Sequence, residues 1–536
     1  MTKNLGDVCQ AWTSTTQEPD PVALRFVQTD LSVRDYGSAQ IDAMASQFAN
    51  VLVDLGHAPD KVVAILLPKC VEVFASFLGT LKAKSTVLPL FANFGDLALG
   101  DRLADSGAAV VVTRRALLPR LLRIRAALPE LRVVLLVDSD ADLEPEVLSL
   151  PLRMKRASAA FVSAEVDAET PLLIHYTSGS TGKPRGVLHV HGAAPHLERS
   201  TAEVIQLGRG DLYWCTADHG WITGSTYGIL GPWLLGVTQL QFAGGFDADN
   251  WLRILAEQHV SVWYTTPNAL RMLARADDVD YHRYDLTRLR SIFSVGEPLN
   301  PEISRWGRRT LGHDIYDTWF QTETGGIMIA NRPGLAIRPG SMGKPVSSVR
   351  AAILDDQGHP CPARTTGHLC LRAPWVSMFR AYVHGADAYR AKFESGYYDS
   401  GDLAFQDEGG YFWFAARNDD VINTSGFLVS PFEVESALLE LPEVAESVAV
   451  GIADPVLFEK VVAYVVLRKG HQDSPELRMK IRLHVANRLS AAATPQDVVI
   501  VDQIPKSGSG KLLRRVLRAK YLGQDPGDLS TVEDPG

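Results

Sequence analysis

The densest collection of potentially chemical side chains lies at 172–186, LLIHYTSGSTGKPRG. An apolar run ends at Tyr176. Thr177, Ser178, Ser180 and Thr181 then supply hydroxyls, Gly179 and Gly182 lack side chains, and Lys183 and Arg185 bring positive charge. Small residues let a backbone approach a ligand closely, and successive N–H groups form a nest for anions. Hydroxyls and a lysine add further donors, so the stretch has the makings of a cradle for an oligophosphate. It is not the GxxxxGK[ST] pattern, because Pro184 follows Lys183 and a helix could not run straight on through the lysine. Composition alone describes a flexible surface loop equally well. The preceding strand and the following basic residues favour the cradle.

Such a loop needs a rigid strand before it, and the surrounding chain predicts a sheet to hold it. The stretches 62–67 (VVAILL), 108–113 (AAVVVT) and 132–137 (RVVLLV) read as buried strands. Between the first two, 71–83 carries apolar residues at helical spacing. Strands alternating with helices predict a mostly parallel sheet covered on both faces. From about residue 340 turn residues become frequent, with short β-like runs at 350–354, 368–372 and 411–415. After Arg417 an acidic turn leads into a new α/β texture: a helix over 431–441 and strands over 447–452 and 460–467. The expectation is an α/β protein. A large N-terminal domain at 1–416 has layered, mostly parallel sheets and a β-rich portion at about 340–416. A junction at 417–420 leads to a small α+β domain at 421–536.

Composition narrows the function. With 46% hydrophobic and 21% charged residues over 536 positions, the chain can bury a large core and is not a disordered segment. A net charge of -9 argues against nucleic-acid binding or membrane adhesion through a global basic field. Five cysteines (Cys9, Cys70, Cys215, Cys361, Cys370), an odd number without a CxxC, make neither a disulfide framework nor a zinc ribbon. The first residues show neither a basic n-region followed by an apolar run nor an Arg-rich transit pattern, so the expected location is the cytoplasm. The uncharged stretch 220–246 contains Pro232 and several polar residues, and reads as core rather than a membrane span.

With these residues in place, the chain resembles the AMP-forming acyl-CoA synthetase and adenylating-enzyme superfamily, above all its acetyl-CoA synthetase branch. The phosphate loop there reads close to [YFL]TSG[ST]TGxPKG. Further motifs recur in the family's order from about residue 30 to 520. They are 214–232 (WCTADHGWITGSTYGILGP), 294–302 (SVGEPLNPE), 316–326 (YDTWFQTETGG), 397–422 (YYDSGDLAFQDEGGYFWFAARNDDVI) and 504–515 (IPKSGSGKLLRR).

The resemblance implies a two-step ligase using ATP, Mg²⁺ and coenzyme A. A carboxylate attacks the α-phosphorus, giving acyl-AMP and pyrophosphate, and a thiol then takes the acyl group and releases AMP. Lys511 corresponds to the family's catalytic lysine, with Thr322 and Glu323 at the phosphates and Glu323 toward the metal. Nucleotide contacts carry over to Thr177, Ser178, Gly179, Ser180, Thr181 and Lys183, to Gly296, Glu297 and Pro298, and to Asp317, Thr318, Trp319, Gln321 and Thr322. Asp402 and Arg417 match the ribose-binding positions. Trp221, Ile222, Thr223, Val295 and Phe320 match the acyl pocket, Asp419 the hinge of a rotating C-terminal domain, and Gly426 and Arg488 coenzyme A contacts. Phe320 stands where the acetate branch usually has tryptophan, and Ile222 where it has a smaller valine. The two changes roughly offset, so acetate or propionate is expected. An acetyltransferase and deacetylase pair acting on Lys511 is a further expectation of the resemblance.

Three positions depart from the family pattern. Arg185 stands for a usual lysine, Ala416 for a usual glycine, and Leu428 for a usual basic residue near the phosphates. These departures keep two other readings open. One is an adenylating enzyme that loads a carrier protein, and the other a degenerate nucleotide-binding homologue acting as a sensor. Lys511, Glu323, Asp402 and Arg417 together speak against the second.

Overall fold

The computed structural model describes residues 3–13, 20–178, 184–276, 279–394, 396–418, 420–424, 427–455, 457–506 and 512–526. Two large sheets dominate the first four hundred residues. In the nine-stranded sheet six neighbouring strands run parallel: Ile315–Trp319, Ser291–Val295, Val262–Thr265, Leu212–Cys215, Thr238–Phe242 and Val22–Val27. Antiparallel strands close both edges. In the eight-stranded sheet the parallel set includes Thr86–Leu90, Val62–Leu66 and Ala108–Thr113, and it ends on the strand Pro171–Ser178.

The expected strands are present at 62–66, 108–113 and 133–136, with the helix Val71–Lys82 between the first two. Their apolar runs are continuous because both faces are covered. Val63 and Ile65 point into a cluster with Phe48, Phe74 and Phe77, while Val62, Ala64 and Leu66 point into another with Leu99 and Leu121. Successive strand residues face opposite sides, so one run serves two cores. The nine-stranded sheet does the same, with Tyr213 and Cys215 on one side and Trp214 on the other. The helix Val71–Lys82 packs Phe74 against Trp233 of the short helix Gly231–Leu234, with ring centres 5.3 Å apart.

A four-stranded antiparallel sheet follows: Ala351–Leu354, Gly367–Arg372, Tyr397–Gln406 and Phe412–Arg417. The last strands, between Ile422 and Ile500, form a separate sheet. Helices Pro431–Leu438 and Pro475–Arg488 cover one of its faces. Among the described residues no helix is long and apolar enough to cross a membrane, and the cysteines are all free thiols.

Candidate active site

In parallel sheets, ligand sites form beyond the carboxyl ends of the strands. The candidate residues collect there. The hairpin of Pro171–Ser178 with Pro184–Val190 aligns Thr177 with Arg185 and brackets the phosphate-loop sequence. Gly179, Ser180, Thr181 and Lys183 lie outside the described residues. Val295 ends its buried strand and leads to Gly296, Glu297 and Pro298. Ile315–Trp319 leads into 320–326.

The 321–326 segment is held from both sheets. His189, on the eight-stranded sheet, donates from Nε2 to the Thr322 carbonyl at 2.7 Å. Burial pushes its pKa down to about 4, so the ring is neutral. Trp375 and Ser377 donate to the Thr324 carbonyl at 3.0 and 2.7 Å. His196 donates to the Ile327 carbonyl at 3.0 Å, and the Ile327 amide donates to the Tyr227 hydroxyl at 2.7 Å. The two glycines are required here. Gly325 has φ +72°, and a Cβ on it would stand 2.3 Å from the Ser377 carbonyl oxygen. A Cβ on Gly326 would meet His196 at 2.7 Å.

Glu323 projects from this braced turn and accepts from the Tyr382 hydroxyl at 2.9 Å. The Arg185 guanidinium lies 5.6 Å from the centre of the Tyr382 ring. Thr322 and Glu323 thus present a hydroxyl and a carboxylate, the hard oxygen donors that magnesium takes. The residues present fit that ion.

Asp402 is held by three side chains. Its Oδ2 accepts from Trp319 Nε1 at 2.9 Å and from Gln321 Nε2 at 3.0 Å, and its Oδ1 accepts from Arg417 Nη1 at 2.8 Å. Asp402 and Arg417 are direct cross-strand partners, which fixes that pair by register. Burial raises the carboxyl's pKa, and the Arg417 charge opposes the rise. Gln321 is oriented in turn by Tyr398, which donates to its Oε1 at 2.8 Å.

Glu297 shares its Oε2 with Arg271, while its buried Oε1 has no hydrogen-bond partner among the described residues. Asp317 and Thr318 are buried on opposite faces of their strand. Asp317 accepts from the Ser294 hydroxyl at 2.7 Å, and burial pushes its pKa up to about 7. Thr318 donates to the Ser294 carbonyl and shares a 2.6 Å bond with the Tyr264 hydroxyl.

The acyl-pocket candidates come from the helical start Ile222–Ser225, with Trp221 as its N-cap, together with Val295 and Phe320. Trp221 stands edge-on to Phe91 at 4.9 Å, and Phe320 edge-on to Tyr227 at 5.4 Å. His175 holds the turn before them, its ring nitrogens 3.1 Å from the Gly220 carbonyl oxygen and 3.0 Å from the Ser225 hydroxyl. Arg488 sits on the exposed helix Pro475–Arg488 and pairs with Glu440 at 3.0 Å. Lys511, Asp419, Gly426 and the Leu428 side chain lie outside the described residues.

Sequence reading did not single out Tyr382, His189 or His175. The histidines carried one signal, a titratable ring inside an apolar strand. Tyr382 carried none, because its partner is 59 residues away.

The chain belongs to the AMP-binding enzyme family: residues 11–383 match the AMP-binding enzyme and residues 433–511 its C-terminal domain. It is 43% identical to the acetyl-coenzyme A synthetase of Bacillus subtilis (strain 168), over 93% of this chain and 87% of that one. It is 36% identical to the acetyl-coenzyme A synthetase of Salmonella typhimurium (strain LT2), over 91% and 79%. The crystal structure of the anthranilate CoA ligase AuaEII with anthranoyl-AMP superimposes with a TM-score of 0.89 at 27% identity, covering 97% of each chain. Within the family, the chain falls in the acetyl-coenzyme A synthetase branch. It is an AMP-forming acid–thiol ligase that uses ATP, Mg²⁺ and coenzyme A.

Proposed function

We propose that the acid activated by this ligase is acetate or propionate. The observation that supports this is the edge-on packing of Phe320 against Tyr227, which keeps a bulky aromatic at the position that the family resemblance gives to the acyl pocket. The acetyl-coenzyme A synthetases among its relatives support the same class of acid. One methylene changes affinity by about 1–3 kcal/mol, so selectivity between neighbouring acids is on the order of tens to hundreds of fold.

Each group then has a role. The braced turn fixes Thr322 and Glu323, which would hold magnesium, and that ion would neutralise phosphate charge there. Asp402 takes ribose hydroxyls, with Arg417 beside it. Glu297, with Gly296 and Pro298, lines the adenine end, and its unpartnered oxygen suits an exocyclic amine. Lys511 brings positive charge to the carboxylate and α-phosphate as they meet, where like charges otherwise repel. The junction 417–420, centred on Asp419, lets the portion beyond it turn between the half-reactions. Gly426 and Arg488 then serve coenzyme A. Acetylation of Lys511 by a dedicated acetyltransferase, reversed by a deacetylase, would remove the charge this step needs. Free thiols fit a cytoplasmic setting.

The test is acid-dependent ATP–pyrophosphate exchange without coenzyme A, across acetate, propionate, butyrate, isobutyrate, octanoate and benzoate. Exchange confined to one or two small acids is expected. Exchange that is strongest with octanoate or benzoate, or none with any acid, overturns the reading.

A further inference from the structure

The helix Pro267–Ala274 leaves the carboxyl end of Val262–Thr265 and is capped by the Thr266 hydroxyl, which accepts from the Ala269 amide. Asn268, Arg271 and Arg275 recur at three- and four-residue spacing, so they lie along one side. That side meets residues from beyond the 417–420 junction. Arg275 Nη1 lies 2.7 Å from Glu446 Oε1. Lys506 Nζ donates at 2.7 Å to both Asn268 Oδ1 and Glu446 Oε1. Close by, Asn300 Nδ2 donates to the Ser436 hydroxyl at 3.0 Å.

The charge arrangement makes this contact separable. The Glu446 side chain is 6% exposed and that of Lys506 13%, so each would be costly to leave alone. They neutralise one another within the same portion of the chain, whichever way that portion faces. Of their partners, Arg275 and Asn268 are given up if it turns away, and the Asn300–Ser436 bond is lost with them. Lys506 also pairs with Leu512 through an antiparallel backbone bridge, so the described residues that flank Lys511 in the sequence are anchored through Lys506 to Asn268.

We propose that Asn268 and Arg275 are positioning residues. They form a polar latch that seats the base of the Lys511 segment against the nucleotide side, and so favour adenylation over thioester formation. The proposal rests on the reading above, in which Lys511 serves the first half-reaction and the portion beyond Asp419 rotates.

The full chain carries the test, with Arg275→Glu, Arg275→Lys and Asn268→Ala beside the unmodified protein and Lys511→Ala. Two rates are read: acid-dependent ATP–pyrophosphate exchange, and acyl transfer to coenzyme A from preformed acyl-AMP. Arg275→Glu, which sets like charge against Glu446, is expected to lower exchange roughly tenfold while changing transfer less than about twofold. Asn268→Ala should shift the same ratio less, and Arg275→Lys should return it toward the unmodified value. Thermal midpoints within a few degrees of the unmodified protein identify the variants as folded, and Asn268→Ala leaves every charge in place. Equal loss of both rates in a folded variant, or an unchanged ratio in Arg275→Glu and Asn268→Ala alike, removes the latch. Absence of exchange in the unmodified protein, or equal loss of both rates in Lys511→Ala, instead removes the functional reading beneath it.

Discussion

The phenol of Tyr382 donates to Glu323 Oε1 at 2.9 Å, joining a short edge strand of one sheet to the turn beyond a strand of the other. A group that orients a ligating carboxylate typically contributes 10–100-fold to metal affinity or activity. If Glu323 takes the magnesium, Tyr382→Phe should raise the Mg²⁺ concentration for half-maximal pyrophosphate exchange by roughly tenfold. Only one hydroxyl is removed, so the thermal midpoint should barely move. A Mg²⁺ titration of exchange at saturating ATP checks this, and an unchanged midpoint would show that Glu323 needs no such support.

Phe320 faces Tyr227 edge-on and is only partly buried. Phe320→Gly should open the pocket and move the exchange profile from acetate and propionate toward butyrate and longer acids. The lost packing should cost up to about 3 kcal/mol, less than a fully buried phenylalanine would. An unchanged acid profile in a stable variant would reduce Phe320 to a packing residue.

Asp317 should make stability depend on pH. Burial pushes its pKa up to about 7, with the Ser294 hydroxyl and the backbone amides of Leu299 and Thr318 opposing. In the unfolded chain it ionises near the ordinary value of about 3.9. Between about pH 4 and about pH 7 the folded protein therefore holds a proton that the unfolded chain has lost. The contribution is present in full below about pH 4 and is lost as pH rises toward 7, at about 1.4 kcal/mol per pH unit. Asp317→Asn should remove this slope relative to the unmodified protein in urea titrations run at several pH values. Parallel curves for the two proteins would show that Asp317 ionises normally.

Asp419→Pro tests the junction. Fixing φ at that residue should spare pyrophosphate exchange and reduce acyl transfer to coenzyme A by roughly tenfold or more. Survival of both steps would place the pivot elsewhere.

Much of this was legible in the sequence because it is local. The strand 108–113 follows from a continuous apolar run, the helix beginning at Val71 from periodicity, and the strand ahead of the phosphate loop from an apolar run broken by small residues. Motif resemblance carried Asp402 and Glu323. The supports of those residues were not legible, since they arise from register and from contact between sheets. Arg417 meets Asp402 because two strands pair with that alignment, and His189 reaches Thr322 across 133 positions. Asp317 and Thr318 show the converse limit. Both sit in a ligand-binding motif, yet adjacent strand residues face opposite sides, and each of these side chains is buried and bonded to Ser294, which the motif alone does not reveal.

The Ile327 amide gives its proton to the buried hydroxyl of Tyr227, which also bonds Ser200 at 2.7 Å. That proton cannot reach water by fraying of a surface loop, because the acceptor sits among side chains shared by both sheets. Its exchange with deuterium should therefore clock the opening of the molecule as a whole. The turn that presents Glu323 would be among the last parts of the protein to come undone.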